Sequence, residues 1–459
     1  MFSFDFIDLF AGLGGFHLAG SSLGGHCVFA SEIDPELRKI YAKNFQAQIN
    51  GDINSCSLDE IPRHDVLFGG FPCQPFSKAG AQLGWKDLSR GTLFFKILEI
   101  LEKRQPEIVV LENVANFSRH DAGNTLKVVE SSLRQLGYDV ASKNFSPHQF
   151  LIPQLRERVY IVARRFDKGG LNGFDWPAEE HGPVDLSTIL GDTSSRRTVS
   201  AAAQQALDLW QEFIKKFSFD RELPSFPIWA QEFGATYSTE RDSLFAFSKA
   251  QLRSFRGSLG RDVEGATKIQ MMDCFPSHAR YTESCFPTWK RTFIAQNRAL
   301  YEENENWLSG WIEHLRDLPP SFTKLEWNCK GSRRDIFDHV LQFRASGIRV
   351  KRRSYAPALV AMTTSQVPFV GWERGFLTER ECARLQSMEE LRFLPEAQTR
   401  AFKALGNAVN VGVARRIVYG LMALSTRQQN NPYPRPPSEI SSAAANAPMD
   451  NRRNLTVEV

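Results

Sequence analysis

The sequence predicts an α/β fold, in which a doubly wound, mostly parallel sheet forms one domain and a second, smaller domain accompanies it. Up to about residue 165, short β-rich runs alternate with helical patterns, which is typical of βαβ units. The alternation then stops, and residues 166–353 form a mixed region rich in Trp, Phe and Arg. At 459 residues, the chain is long enough for two domains with ordinary cores.

The first domain is predicted to contain six strands separated by helices. The predicted strands are Phe4–Phe10, His26–Glu32, Asp65–Gly70, Glu107–Asn113, Tyr138–Phe145 and Arg158–Arg165. Apolar residues recur at helical spacing between them, at positions 93, 94, 97, 98 and 101 and at positions 126, 129, 133 and 136. Doubly wound sheets bind ligands at the carboxyl ends of their strands. The residues that follow each strand are therefore the first candidates for a functional site.

The later part of the chain is predicted to be mainly helical near its end. A helix over Asn297–Leu315 carries an apolar stripe that is expected to be core. A second helical block covers Thr378–Ser387 and Gln398–Leu424. The tail, residues 425–459, contains QQNNPYPRPPSE and little apolar content, so it is expected to be disordered.

Composition excludes several classes of protein. No run of about 18 apolar residues and no basic, apolar leader occurs, which predicts a cytoplasmic protein with no membrane association. The seven cysteines are scattered without C-x-x-C spacing, which argues against a disulfide framework or a structural zinc site. The net charge is only +4, so a polyanion-binding surface must be local. Arg333 to Arg353 holds seven Arg or Lys against two Asp and is the candidate, with a plain solvated face as the alternative.

A glycine-rich loop follows the first predicted strand, in DLFAGLGGF at residues 8–16. Its glycines allow a tight turn and close approach to a ligand. The dinucleotide pattern G-x-G-x-x-G fails, because His17 stands where the third glycine would be. Glu32 ends the second strand, where an acid can accept hydrogen bonds from ribose hydroxyls, and Asp52 ends another candidate segment. The set favours a nucleoside cofactor without a phosphate clamp, such as S-adenosylmethionine; an ordinary tight turn is the alternative.

Cys73 lies between two prolines in GGFPCQPFSKAG, residues 69–80, just past the third predicted strand. Prolines fix the backbone beside it, which favours a positioned nucleophile over an inert packing residue. Residues 77–90 are polar and glycine-punctuated, as suits a lid. Glu112 closes the fourth strand, where burial would raise its pKa and let it act as an acid. Of Arg156 and Arg158, one is expected to enter the pocket and the other an ion pair.

Together these motifs resemble those of the cytosine carbon-5 DNA methyltransferases of the bacterial modification type. The resemblance covers residues 1–165 and 354–424, in the usual motif order. It rests on DLFAGLGGF at 8–16, PCQPFS at 72–77, RGTLFFKI at 90–97, ENV at 112–114, QLRERVYIVA at 154–163 and LGNAV at 405–409. Residues 166–353 match no short motif, as is expected of the variable target-recognition segment. Ala79 departs from the family pattern, in which a small hydroxyl often stands at this place, and the lid has one extra residue.

The resemblance implies an S-adenosylmethionine-dependent methyltransferase fold and methyl transfer to carbon 5 of a cytosine that is rotated out of duplex DNA. Cys73 would add to carbon 6, Glu112 would hold ring nitrogen 3 and the exocyclic amine, and Arg158 would bind the carbonyl oxygen at carbon 2. Arg156 would be a lesser contact, and S-adenosylhomocysteine would be the product. The cofactor residues implied are Phe10, Gly12, Leu13, Gly15, Glu32, Ile33, Asp52, Ile53, Pro72, Leu93, Asn407 and Val409.

The expected partner is double-stranded DNA, bound by a monomer with no obligate protein partner, in a bacterial cytoplasm and nucleoid. DNA contacts are expected from Ser77, Gln82, Arg90, Arg333, Arg334, Arg349, Lys351 and Arg352. A separate restriction endonuclease would complete the system. A zinc deaminase is excluded, because position 76 is Phe and no histidine has Glu two residues on. A tRNA methyltransferase of the same fold and an inactive DNA-binding relative are the remaining alternatives.

Overall fold

A six-stranded sheet forms the centre of the first domain in this computed structural model, which describes residues 1–72, 93–191, 196–217, 220–239, 243–280, 286–359 and 364–429. The strands in this part of the chain are β1 Phe4–Leu9, β2 Gly25–Ser31, β3 Val66–Gly70, β4 Ile108–Val114, β5 Tyr138–Phe145, β6 Gln154–Leu155 and β7 Arg158–Arg165. Their spatial order is β2-β1-β3-β4-β7-β5, with β6 outside the sheet. Each of the six predicted strands is confirmed, with ends that differ by one residue at most.

The sheet is mostly parallel, as predicted, and one strand is reversed. β1 pairs in parallel with β2 and β3, and β3 pairs in parallel with β4. β7 runs antiparallel to both β4 and β5. Because β7 is reversed, its first residue, Arg158, lies opposite Val114 at the carboxyl end of β4.

Helices cover both faces of this sheet. The helices of this domain are α1 Gly15–Ser22, α2 Pro35–Phe45, α3 Leu93–Arg104 and α4 Asn124–Gln135. Successive residues of a strand point to opposite faces. Thus Phe6 and Phe68 pack in one buried cluster with residues of α1, whereas Ile7 and Leu67 pack in another with residues of α3 and α4. This two-sided burial is what the doubly wound arrangement requires.

The second sheet belongs to the region that was predicted only as mixed. The helices of this region are α5 Ala201–Lys216, α6 Lys249–Arg253, α7 Lys268–Asp273, α8 Thr288–Glu302 and α9 Glu305–Trp311. The remaining strands of the chain are β8 Ile228–Trp229, β9 Lys324–Asn328, β10 Val340–Arg344, β11 Gly347–Lys351, β12 Ala356–Pro357, β13 Phe369–Val370 and β14 Gly375–Phe376. All of them except β12 belong to the second sheet. The sheet order is β14-β13-β10-β11-β9-β8, and β12 pairs with β6. The second sheet therefore takes two strands from beyond residue 353.

The chain closes with α10 Glu379–Leu385, α11 Gln398–Asn407 and α12 Val411–Gln429. The last of these returns to the first domain: its buried residues share the cluster of Phe6 and Phe16, and it packs on α1. No helix in the described ranges is long and apolar enough to cross a membrane.

Two segments that were each predicted as one continuous helix are divided into shorter helices, so the predicted lengths were wrong. The helix predicted over Asn297–Leu315 consists of the end of α8, then α9, then a 3-10 turn at Ile312–Leu315. The Asn304 side chain donates a hydrogen bond to the Leu300 carbonyl (2.9 Å), which competes with helix continuation. Leu300, Leu308, Trp311 and Leu315 are buried, which confirms the core interpretation of the stripe.

The block predicted over Gln398–Leu424 divides between α11 and α12. Asn410 begins α12 by accepting a hydrogen bond from the Val413 amide (3.1 Å), as a helix cap does. The predicted disordered tail also begins too early, because α12 continues to Gln429. Ser425 there donates a hydrogen bond to Glu107 (2.7 Å), which fixes this turn to the sheet domain. Residues 430–459 lie outside the described residues.

Candidate active site

A cavity of about 700 Å³ opens at the carboxyl ends of the parallel strands. Its wall combines the segments that follow β1, β2, β3 and β4 with the C-terminal segment from Pro395 to Val409. Eleven of the twelve residues predicted to hold a cofactor line it, namely Phe10, Gly12, Gly15, Glu32, Ile33, Asp52, Ile53, Pro72, Leu93, Asn407 and Val409. Leu13 is buried in the core instead. The candidate catalytic residues Glu112, Arg156 and Arg158 line the same cavity.

The glycine loop adopts left-handed backbone conformations between β1 and α1. Phe10, Gly12 and Gly14 have φ values of 58°, 55° and 85°. Such a conformation is strained for Phe10, and strain of this kind is concentrated at functional sites. Gly14 has a steric reason to be glycine, since a Cβ there would meet the Phe45 ring at 2.3 Å. The loop is therefore held in one shape against the cavity.

Glu32 fixes this loop from the neighbouring strand. Its Oε2 accepts a hydrogen bond from the Gly12 amide (2.9 Å) and its Oε1 accepts one from the Asp34 amide (2.9 Å). Each carboxylate oxygen has a further lone pair, so Glu32 can still accept hydrogen bonds from a ligand's hydroxyl groups. Asp52 lies on the same wall, where its Oδ1 accepts from the Asn54 amide (2.9 Å).

Gly15, the first residue of α1, lies against the C-terminal wall. A Cβ there would meet the Val409 carbonyl oxygen at 2.6 Å and the Met388 Cε at 3.1 Å. We therefore expect Gly15→Ala to lower the free energy of unfolding by about 1–3 kcal/mol, measured by denaturant titration. Gly310→Ala is the matched control, because no described atom outside its chain neighbours and its own helix backbone lies within 4 Å of the added Cβ, and alanine is favoured in helices. Equal stability of wild type and Gly15→Ala would contradict this packing.

Glu112 and Arg158 form an ion pair at the floor of the cavity. Arg158 Nε lies 3.0 Å from Glu112 Oε1, and both side chains are largely buried. Burial raises the pKa of Glu112, while the positive charges of Arg158 and Arg156 oppose this increase. A carboxyl group with a raised pKa beside a fixed guanidinium can exchange a proton with a bound ring and still be held in place.

Arg156 is the second guanidinium of the site. Its side chain is buried, its Nη2 donates to the Ala408 carbonyl (3.1 Å), and its Nε and Nη1 have no hydrogen-bond partner among the described residues. Burial, assisted by the neighbouring Arg158, lowers the pKa of Arg156 to about 9. The expectation that one arginine lines the pocket and the other forms an ion pair is met in part, since Arg158 does both.

Asn113 connects this floor to the segment that precedes Cys73. Its Nδ2 donates to the Phe71 carbonyl (3.0 Å), and Phe71 is itself buried. Pro72, the next residue, lines the cavity. Cys73, Ser77, Gln82 and Arg90 lie outside the described residues, so their assignments stay predictions. Asn113 had no assigned role in the sequence analysis, although its place within ENV was a usable signal.

Asp8 is another cavity residue that sequence reasoning did not select. It lies in β1, is almost fully buried, and its Oδ2 accepts a hydrogen bond from the His17 amide at the start of α1 (3.2 Å). Burial, together with the charge of Glu32, raises the pKa of Asp8 to about 8. The available signal was an acid inside the apolar run FDFIDLF.

The basic residues predicted to contact DNA mostly have partners inside the protein. Arg349 pairs with Glu326 (2.5 Å), and Arg333 pairs with Asp338 (3.0 Å). Arg334 and Arg352 donate to backbone carbonyls, and partial burial lowers the pKa of Lys351. Their role at DNA stays a prediction, and the structure gives each of the four arginines an internal contact as well.

The chain matches the model of one protein family and is similar to several type II methyltransferases. The model of the C-5 cytosine-specific DNA methylase family matches residues 4–227. Type II methyltransferase M.AluI from Cellulosimicrobium cellulans is 34% identical, over 90% of this chain and 91% of that protein. Type II methyltransferase M.HhaI from Haemophilus parahaemolyticus is 44% identical, over 41% of this chain and 55% of that protein. Type II methyltransferase M.NgoBI from Neisseria gonorrhoeae is 41% identical, over 45% of this chain and 68% of that protein.

Proposed function

The chain belongs to the C-5 cytosine-specific DNA methylase family, and from that premise we propose that it methylates a flipped-out cytosine through a covalent bond to Cys73. Family membership makes it a DNA cytosine-5 methyltransferase of the restriction-modification type, with S-adenosylmethionine as its cofactor. The observation that carries the covalent mechanism is the Glu112–Arg158 pair in the wall of the cavity that Pro72 also lines.

The cavity residues fit the cofactor. Glu32 retains acceptor capacity for ribose hydroxyls, Phe10 offers a ring beside the loop, and Ile33, Asp52 and Ile53 provide an apolar and acidic pocket for adenine. The hydroxyl of Ser31, buried in the same wall, has no partner among the described residues, which leaves a polar atom for a ligand. When bound, S-adenosylmethionine supplies an electrophilic methyl group.

The catalytic residues activate carbon 5, which is otherwise a weak nucleophile. The Cys73 thiolate adds to carbon 6 of cytosine, while Glu112 gives a proton to ring nitrogen 3, so that electron density moves to carbon 5. Arg158 donates to the carbonyl oxygen at carbon 2, and its ion pair holds Glu112 in position. After methylation, water accepts the carbon-5 proton and the carbon–sulfur bond breaks, which releases the Cys73 thiolate and restores the aromatic ring. The proton on nitrogen 3 returns to Glu112.

The remaining assignments are part of the same proposal. Because a duplex hides carbon 6, the cytosine must leave the stack, and residues 77–90 are proposed to close over it. Residues 1–165 and most of 354–424 are proposed to form the catalytic domain, and residues 166–353 to recognise the target sequence. The strands β13 and β14 lie beyond residue 353 but complete the sheet of the second domain. The enzyme acts on duplex DNA as a monomer, and a separate restriction endonuclease cleaves DNA that lacks the methyl group.

Duplex DNA with 5-fluorocytosine at the target position tests the covalent step. Bisulfite sequencing of DNA from cells that express the protein first identifies that position. Fluorine cannot leave as a proton, so the adduct should persist, and the expected result is a denaturation-resistant protein–DNA band that requires S-adenosylmethionine. The same duplex with ordinary cytosine is the control. If 5-fluorocytosine DNA binds but yields no such band, the covalent mechanism is wrong.

A further inference from the structure

An ion-pair network joins two parts of the cavity wall. Arg400 of α11 lies 2.7 Å from Glu36 and 3.4 Å from Asp34, measured between guanidinium and carboxylate atoms. Asp34 caps α2 and Glu36 lies in its first turn, and all three residues line the cavity. The network thus joins the C-terminal wall to the wall that carries Glu32, although the residues are more than 360 positions apart in the chain.

The two walls have a second connection farther from the cavity, and it is of a different kind. Asn44, near the end of α2, donates to the Phe393 carbonyl and accepts from the Phe393 amide, both at 2.9 Å. These neutral hydrogen bonds fix the segment that leads into α11. At the cavity itself, the described contacts between α2 and α11 are ionic, and the side chain of Arg400 is about half exposed. Lys43 of α2 also lies over the Phe393 ring, 5.8 Å from its centroid. Among the described contacts between these two segments, the ion pairs of Arg400 are those between opposite charges, and salt screens them most readily.

The network is also connected to Glu32, the residue predicted to bind the ribose of the cofactor. The Asp34 amide donates to Glu32 Oε1, so the residue that pairs with Arg400 also orients Glu32. Loss of the Arg400 contact removes a restraint on the start of α2 while α11 stays anchored by the buried residues Ala401, Phe402 and Leu405. Loss of this contact is therefore expected to change the dissociation rate of the ligand more than the stability of the fold.

We propose that the Arg400–Glu36–Asp34 network is a clasp that slows the exit of S-adenosylmethionine and S-adenosylhomocysteine from the cavity. This inference rests on the proposed placement of the cofactor in that cavity. The clasp makes the residence time of the nucleoside ligand depend on ionic strength, independently of the salt dependence of DNA binding. Arg400 is accordingly a positioning residue, which acts through the acidic start of α2.

The test measures dissociation of radiolabelled S-adenosylhomocysteine from the full chain, chased with excess unlabelled ligand, in the absence of DNA. Exposed ion pairs are worth little, so we expect Arg400→Gln and Glu36→Gln each to raise the dissociation rate by about 2- to 5-fold at low salt. The double variant should be no faster than the faster single variant. At about 1 M salt, where the Debye length is ~3 Å, all four proteins should release the ligand at the same rate.

Two further variants separate the clasp from other effects. Arg416→Gln breaks a comparable surface pair with Glu180, which lies outside this cavity, and should leave the dissociation rate unchanged. Lys403→Gln removes a positive charge from the same helix and the same cavity wall without breaking an ion pair described in this structure. A rate increase as large as that of Arg400→Gln would attribute the effect to the charge of this wall and overturn the clasp. Unchanged dissociation in Arg400→Gln would overturn it too. Failure of the wild type to bind the ligand would refute the proposed cofactor site as well.

Discussion

Cys73→Ser is expected to abolish DNA methylation, with a loss of at least about 10³-fold in the single-turnover rate. A serine hydroxyl is far less ionised than a thiol near neutral pH and is a much weaker nucleophile toward carbon 6. The residues around the attachment point should be unaffected, because Phe71 is buried and its carbonyl is held by Asn113. The measurement is methyl incorporation from labelled S-adenosylmethionine into the target duplex.

Cysteine-specific controls keep this result interpretable. Cys274→Ser, in the second domain, should methylate DNA at the wild-type rate, since its sulfur donates to the Glu264 and Gln270 carbonyls and it packs against an apolar cluster of that domain. The Cys73→Ser protein should still bind the duplex in a gel-shift assay and should give no adduct with 5-fluorocytosine DNA. Methylation by Cys73→Ser within tenfold of wild type would show that another group activates the cytosine.

Glu112→Gln is expected to reduce the single-turnover rate by about 10²- to 10⁴-fold, the usual range for a lost general acid. Glutamine has nearly the same shape and can donate a hydrogen bond, but it has no proton to transfer to ring nitrogen 3. It also leaves Arg158 without its carboxylate partner. A single-turnover assay at saturating DNA and cofactor isolates this effect from binding.

The pH dependence of the rate should change in the same variant. Because burial raises the pKa of Glu112, its carboxyl group keeps a proton to higher pH than an exposed glutamate does. If the protonated form is the acid, the wild-type rate falls as pH rises through that pKa, whereas the Glu112→Gln rate lacks this step. A wild-type rate that rises through the same pH interval would assign Glu112 the role of a base.

Glu107→Gln is the matched control for Glu112→Gln. Glu107 immediately precedes β4 and pairs with Arg164 of β7 (2.8 Å). The same two strands are thus joined by a second ion pair, at the end opposite to the Glu112–Arg158 pair. Loss of the Glu107–Arg164 pair leaves the buried Arg164 without its carboxylate partner and should reduce stability. The methylation rate of the folded enzyme and its pH profile should stay as in wild type. Similar losses in both variants would indicate that strand pairing, not proton transfer, limits the reaction.

The strands of the first domain were predictable because each is a short apolar run whose ends are marked by glycine or polar residues. The positions of Glu32, Glu112 and Arg158 around one cavity were also predictable. Each residue lies at or near the end of a strand, and these strand ends meet at the same side of the sheet. The reversal of β7 was not predictable from its composition. It nevertheless decides that Arg158 lies beside Glu112 and not at the opposite edge of the sheet.

Contacts between distant segments account for most of what the sequence did not indicate. Neither the pairing of Arg400 with the start of α2 nor the hydrogen bond from Asn113 to Phe71 leaves a local pattern in the chain. The helix breaks at Asn304 and Asn410 coincide with side-chain hydrogen bonds of these two residues, which the residue pattern does not indicate. The second sheet was missed because its strands have only two to five residues, too few for an alternation pattern to be recognised.

The cofactor cavity draws one wall from the first 72 residues and the opposite wall from residues 395–409. During translation, the ribosome must therefore synthesise most of the polypeptide before both walls exist. A nascent chain contains Phe10 and Glu32 early but lacks the wall formed by residues 395–409 until α11 has been synthesised. Premature termination before Pro395 would yield a fragment that keeps the motif residues of the sheet domain and lacks eight of the 32 residues that line the cavity.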